Sequence, residues 1–187
     1  AWYPGALGGR AVGELLFGAY SPSGRLPVTF YRDVDDLPAF TDYAMANRTY
    51  RYYQGDPLYP FGFGLSYTRF DYSGLSIEAG SGVTAQVTVT NSGSMAGREV
   101  VQAYVRWEGS DASQPRWHLC ALDSVELAPG ASAVVTLVIP PEALYTYHAD
   151  GSRAVEPGRY RLWVGGGQPD AHTEALTGQS VLEDTFT

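Results

Sequence analysis

From Val83 to Thr90 the chain alternates without a break, with Val83, Ala85, Val87 and Val89 in one parity and Thr84, Gln86, Thr88 and Thr90 in the other. Side chains of a strand point to opposite faces in turn, so this segment fits a strand with one face in a core and the other toward water. It does not fit a helix. The same kind of run recurs at short intervals between turn residues: Phe70 to Ile77, Glu99 to Trp107, Trp117 to Leu127 and Ala133 to Ile139. Two more follow the turn signals Asp150-Gly151 and Pro157-Gly158, namely Arg153 to Val155 and Tyr160 to Val164. Short alternating strands with regular turns predict two antiparallel sheets packed face to face.

Seven strands in the span 70-187 fit an immunoglobulin-like or fibronectin type III-like sandwich, which needs roughly 100 residues. The fold class is therefore mainly β. Asn91-Ser92-Gly93 is read as a turn, Pro140 to Leu144 as one helical turn between strands, and Leu176 to Thr187 as an edge strand or a frayed end.

The first third of the chain reads differently. Residues 1-39 look like the C-terminal remnant of an α/β sandwich domain. A strand end at Trp2-Tyr3 and a Pro4-Gly5 turn precede a short helix with Ala11, Val12, Leu15 and Leu16 on one face, and Gly18 stops that helix. After the turn Ser21-Pro22-Ser23-Gly24, Leu26 to Tyr31 reads as a strand, which suggests a parallel crossover. One helix and two strands cannot cover both faces of a parallel sheet, so this unit is expected to show apolar surface and to lack elements upstream. Residues 40-69 read as an ordered linker. Eleven aromatics fall between Phe40 and Tyr72, interleaved with Gly55, Pro57, Pro60, Gly62 and Gly64, which argue for an extended segment pinned by its rings. Arg48, Tyr50, Arg51, Tyr52 and Phe61 are the expected anchors. Arg48 and Arg51 around Tyr50 are equally suited to hold a sugar by stacking and bidentate hydrogen bonds, or to stitch the linker to a domain face.

Charge excludes several functions. Twelve Arg and no Lys stand against 20 acids, a net charge of -8, so no cationic surplus exists for nucleic acid. Without lysine there is neither a P-loop nor a Schiff base. No apolar run approaches the roughly 18 residues needed to span a bilayer, and the opening Ala1-Trp2-Tyr3-Pro4-Gly5 lacks the pattern of a signal peptide. A soluble chain is expected, with no membrane partner. The single Cys120 excludes an internal disulfide or a cysteine zinc site.

Catalytic groups are scarce. His118, His148 and His172 show no helical metal spacing and read as surface or strand-edge residues, and neither a metal nor another cofactor is expected. Gly62-Phe63-Gly64-Leu65-Ser66 is not a nucleophile elbow and reads as packing. Asp33, Asp35 and Asp36 read as a solvated turn, with a calcium ligand or a general acid as the alternative. Trp107, Trp117 and Trp163 would make a carbohydrate platform if exposed together, and otherwise fill core or edge.

Several motifs then resemble one family. Trp2-Tyr3-Pro4-Gly5, Gly8-Gly9, Leu16-Phe17-Gly18, Ser21 to Phe30, Arg48-Thr49-Tyr50-Arg51-Tyr52 and Pro57 to Thr68 are similar to family 3 glycoside hydrolases, the β-glucosidases and β-xylosidases. Val87 to Gly93, Glu99 to Gln102, Leu127 to Gly130 and Glu156 to Tyr160 resemble the fibronectin type III-like domain of that family. The resemblance implies a retaining, exo-acting hydrolase of terminal β-linked sugars, acting through two carboxylates roughly 5 Å apart. The family carries those carboxylates in a barrel and an α/β domain, upstream of the motif at which this chain begins, so no catalytic residue carries over. The resemblance implies a C-terminal piece whose partners are the missing catalytic domains and, through them, a β-linked oligosaccharide or aryl glycoside. A sugar-binding module and an interaction protein docked through Arg48 to Phe70 remain the alternatives, and the compartment stays open.

Overall fold

The computed structural model describes residues 3-80, 82-109, 114-148 and 150-187. Among the described residues nine strands form in chain order: β1 (Phe70–Ala79), β2 (Val83–Asn91), β3 (Gly97–Trp107), β4 (His118–Leu127), β5 (Ser132–Ile139), β6 (Tyr145–Tyr147), β7 (Arg153–Val155), β8 (Tyr160–Gly165) and β9 (Leu182–Phe186). One sheet has the order β1-β2-β5 and the other β4-β3-β8-β9, all neighbours antiparallel, and β6 and β7 form a hairpin of their own. The expected alternation holds in β2, where Val83, Ala85, Val87 and Val89 are buried with Leu137 and Ile139 of β5 beside them. Val101, Ala103 and Val105 of β3 and Leu162 and Val164 of β8 complete the core from the second sheet. The sandwich has seven strands, but its membership differs from the sequence reading. Arg153 to Val155 pairs only with the unexpected β6, and the seventh place is taken by β9, the edge-strand outcome for the last residues. Arg153–Val155 has no buried residue, so nothing drew it into a sheet with a core face.

Two irregularities adjust the sheets. The β1–β2 register shifts between Ser73 and Ser76, where Gly74 takes a left-handed φ of 66°. The β3–β4 register shifts at Cys120, whose thiol donates to the Ala103 carbonyl at 3.2 Å. No helix among the described residues is long and apolar enough to cross a membrane.

Before the sandwich, α1 (Gly8–Leu16) ends as expected. Gly18 has φ 74°, its N–H donates to Leu15 O at 3.1 Å, and the Ala19 N–H reaches back to Glu14 O at 2.8 Å. These two bonds satisfy carbonyls that the helix end leaves open. Trp2, read as a strand end, lies outside the described residues. The strand read at Leu26 to Tyr31 does not form, and neither does a parallel crossover. Leu26 exchanges bonds with Gly62 and Phe63, and Phe30 bridges Tyr59 in antiparallel sense at 2.9 and 3.2 Å. The backbone running alongside is the returning linker, and Pro27 and Pro60 remove donors that a continuous ladder would need. The linker holds one helical turn, α2 (Thr49–Tyr52), within its otherwise extended path. After β8, α3 (Ala171–Thr177) was not foreseen. Asp170 caps it by accepting from the Thr173 N–H at 2.9 Å, and Gly178 closes it at φ 68°.

Candidate functional site

The richest concentration of buried polar chemistry lies where residues 21-68 press on the sandwich. Glu99 sits in β3 in the same parity as Val101, Ala103 and Val105, and its side chain is 1% exposed. Its Oε2 accepts from Arg25 Nη2 at 2.7 Å and its Oε1 from the Tyr72 hydroxyl at 2.6 Å. Arg25 Nε donates to Gly166 O at 3.3 Å and its Nη1 to Ser23 O at 3.1 Å, so the guanidinium is held from both sides of the seam. Burial pushes the Glu99 carboxyl up from its usual range, and the Arg25 charge works against that rise. Burial first, and then the Glu99 charge, hold the Tyr72 phenol well above its ordinary value.

The opposite face of β3 is covered as well. Gln102 Nε2 donates to Gly62 O at 3.1 Å and to Gly166 O at 2.8 Å, and its Oε1 accepts from the Tyr104 hydroxyl at 2.7 Å. Gly62 takes φ 76°, and a Cβ there would strike Gln102 Oε1 and stand 2.7 Å from the Tyr104 hydroxyl. Gly62 and Phe63 therefore pack as expected, whereas Leu65 of the same run stays exposed. Below it, Asn91 uses its whole amide. Oδ1 accepts from the Thr68 hydroxyl at 2.6 Å and the Gly93 N–H at 3.1 Å, and Nδ2 donates to Met95 O and Leu127 O, both at 2.9 Å.

The expected linker anchors fall into two groups. Tyr50 stacks on Phe61 at 4.1 Å, meets Tyr104 edge-on at 6.2 Å, and its hydroxyl accepts from the Leu119 N–H at 3.0 Å. Arg51 lies 5.7 Å from the centre of the Tyr52 ring, and its carbonyl accepts from the Arg116 N–H at 2.8 Å. Arg48 stays within its own loop. Its Nε donates to Ala44 O at 2.8 Å and its Nη2 to Asp42 O.

The remaining candidates are placed away from one another. Asp33 and Asp36 cap a single turn of 3-10 helix at Val34–Asp36, accepting from the Asp35 and Asp33 N–H groups. Among the described residues no His, Cys, Asp and Glu group is arranged to hold a metal. His118 Nε2 bonds the Ala143 carbonyl, and burial lowers its imidazole pKa. His148 pairs with Glu156 at 2.8 Å, and His172 donates to Pro57 O at 2.8 Å. Trp117 is buried, with its indole N–H on Gln168 Oε1 at 3.1 Å and its ring edge-on to Trp163. Trp107 packs against Gly109 and Gly158, where added Cβ atoms would meet its ring. The three do not form an exposed platform.

Glu99, Arg25, Gln102 and Asn91 were missed as seam residues in the sequence reading. The signal for Glu99 was present, since it falls on the apolar parity of its strand, where a charge must find a partner. Gln102 and Tyr104 gave none, because their covering comes from residues about forty positions earlier.

Two family models match separate stretches of the chain. The model of the glycosyl hydrolase family 3 C-terminal domain matches residues 1–67, and that of a fibronectin type III-like domain matches residues 99–168. A xylan 1,4-beta-xylosidase of Xylanibacter ruminicola is 39% identical over 181 residues, a match covering 95% of this chain and 21% of the relative. A periplasmic beta-glucosidase of Salmonella typhimurium is 34% identical, covering 88% of this chain and 24% of the relative. Among solved structures, a β-glucosidase of Streptomyces venezuelae in complex with D-glucose superposes with a TM-score of 0.83 at 30% identity. That match covers 98% of this chain and 25% of the other. The chain thus spans about a quarter of the length of the relatives it matches.

Proposed function

Because the chain belongs to glycoside hydrolase family 3 as its C-terminal region, we propose that it forms the structural end of a retaining, exo-acting β-glycosidase. That enzyme removes terminal glucose or xylose from β-linked oligosaccharides or aryl glycosides. The carboxylate pair comes from domains outside these residues, and this chain is inactive alone. Its task is to hold a docking face for those domains. In this reading residues 1-39 complete the neighbouring α/β domain, residues 40-69 are the linker, and residues 70-187 are the rigid base. Tyr50, Phe61, Arg51 and Tyr52 anchor the linker to that base, while Arg48 braces the loop ahead of it.

One observation carries the proposal. Among the described residues, 17 of the 23 exposed large hydrophobic side chains precede Phe70, including Tyr3, Leu16, Phe17, Phe40 and Tyr43. The apolar face of α1 lies open, yet the segment behind it is locked to the sandwich through Arg25 and Glu99. A rigid segment with an uncovered apolar face is what one side of a domain interface needs. Among the described residues Glu99 is the one buried carboxylate, and both its oxygens are occupied by Arg25 and Tyr72, which supports a catalytic pair located elsewhere.

The test is hydrolysis of aryl β-glucoside and β-xyloside by the purified chain beside an intact relative. No turnover from folded chain is expected. Turnover abolished by replacing one Asp or Glu of this chain would overturn the proposal.

A further inference from the structure

Beside the linker lies an open pocket whose lining shares Met45 with the exposed apolar set and Tyr52 and Arg116 with the linker anchorage. Met45, Asn47, Tyr52, Gln54, Gln114 and Arg116 line it. Part of its wall is braced by hydrogen bonds within the chain. Arg48 ties the Asp42 and Ala44 carbonyls into the loop beneath Met45, and Asp42 Oδ1 accepts from the Ala44 N–H at 2.9 Å. Asn47, held in a left-handed conformation at φ 56°, accepts from the Gln54 N–H through Oδ1 at 2.9 Å, joining two sides of the pocket. On the third side Arg116 Nη1 donates to Tyr53 O at 2.6 Å, and its guanidinium lies 4.2 Å from the Trp117 ring centre. Groups fixed in this way lose little freedom when a ligand binds.

The chemistry of the lining selects the ligand class. Three carboxamides, one phenol and one guanidinium offer both donors and acceptors, while the Tyr52 ring and the Met45 thioether give an apolar wall. Among the described residues, Asn47 Nδ2 and Gln54 Oε1 have no hydrogen-bond partner. The lining holds no carboxylate, so nothing recruits a cation. One guanidinium, already committed on one nitrogen, in a chain of net charge -8 is poor support for an anion. A neutral ring bearing hydroxyls on its edge and C–H groups on its face matches all of these groups at once.

We propose that this pocket is an accessory binding site for a neutral saccharide, with Asn47, Gln54, Gln114 and Arg116 reading its hydroxyls and Tyr52 its apolar face. The site goes beyond the structural role proposed above and does not depend on it, because binding is read without turnover.

The test is titration of the full chain with β-1,4-xylobiose and with cellobiose, followed by amide chemical shifts. Saturable shifts confined to residues 45-54 and 114-117 are expected. Gln54→Ala and Gln114→Ala together should weaken binding about tenfold or more, as loss of two neutral hydrogen bonds implies, with the melting temperature unchanged. Three results would overturn the site: no saturable shift for either disaccharide, shifts that survive the double substitution, or shifts reproduced by inorganic phosphate. The last would mark an anion site centred on Arg116. None of these touches the hydrolysis test of the structural role.

Discussion

The sandwich and the segment ahead of it handle apolar surface in opposite ways. In the sandwich, Val101, Ala103, Leu162 and Val164 are fully covered within the core of the same domain. In residues 3-67, Phe17 and Phe40 are each 93% exposed although their backbone is ordered. The first region is stabilised by its own core. The second is held in place by polar bonds to the first and leaves its apolar groups free. Stability and recognition are thus divided between two lengths of one chain, and each length should respond differently to substitution.

The sharpest test of that division is the bond between the two parts. Arg25→Ala leaves the Glu99 carboxylate buried beside Tyr72 alone, and removing one partner of a buried pair costs about 3 to 5 kcal/mol. Urea unfolding should show a loss of that size, and adding Glu99→Gln to Arg25→Ala should restore part of it. A loss below about 1 kcal/mol would mean that the seam is not held by this pair.

Next in size is a matched pair of leucines. Leu162→Ala in the core should cost about 2 to 5 kcal/mol, whereas Leu16→Ala on the open face of α1 should stay within about 0.5 kcal/mol. Equal losses would break the contrast between the regions. Tyr50→Ala, between them in position, should cost about 3 kcal/mol because the Phe61 stack and the Leu119 bond both go. An unchanged melting temperature would reject its anchoring role.

The pH profile distinguishes the parts by sign. His118, in the sandwich, has a folded pKa lowered by burial, so the unfolded chain binds its proton first. Its contribution is lost as pH falls below about 6.5 toward the lowered value. Glu99, at the seam, has a raised folded pKa, so its contribution is present below the ordinary glutamate range and is lost as pH rises through the raised value. Stability curves of His118→Gln and Glu99→Gln should therefore depart from the parent with opposite slopes. Finally, burial pushes the Cys120 thiol up to about 12, so a disulfide reagent should label it only at the rate of global unfolding. Labelling while the protein stays folded would show that the bulge in β4 opens locally.

Most of the sandwich was legible because its strands carry the period of two in their own residues, as Val83 to Thr90 does. What misled was membership. Arg153 to Val155 has strand composition but no buried face, and Leu182–Phe186, with three exposed positions, has the edge that β8 needs. The strand expected at Leu26 to Tyr31 failed because Pro27, and Pro60 in the linker beside it, remove donors that a continuous ladder needs. The helix α3 was hidden in a short polar run, although Asp170 and Gly178 bound it with ordinary capping chemistry. The seam was half legible: Glu99 broke the parity of its strand, while Arg25 looked like one more turn residue after Gly24. The pocket beside the linker was unreadable, since Gln54 and Gln114 are brought together only by the fold.

The close fit of Gly62 over Gln102 and Tyr104 bears on how such domains are recombined. A boundary drawn at Phe70 would deliver a domain whose central strand has lost its cover on one face and the counter-charge on the other. Grafting the sandwich onto a different protein therefore requires Arg25 and Gly62 to travel with it, so the transferable unit is longer than the domain.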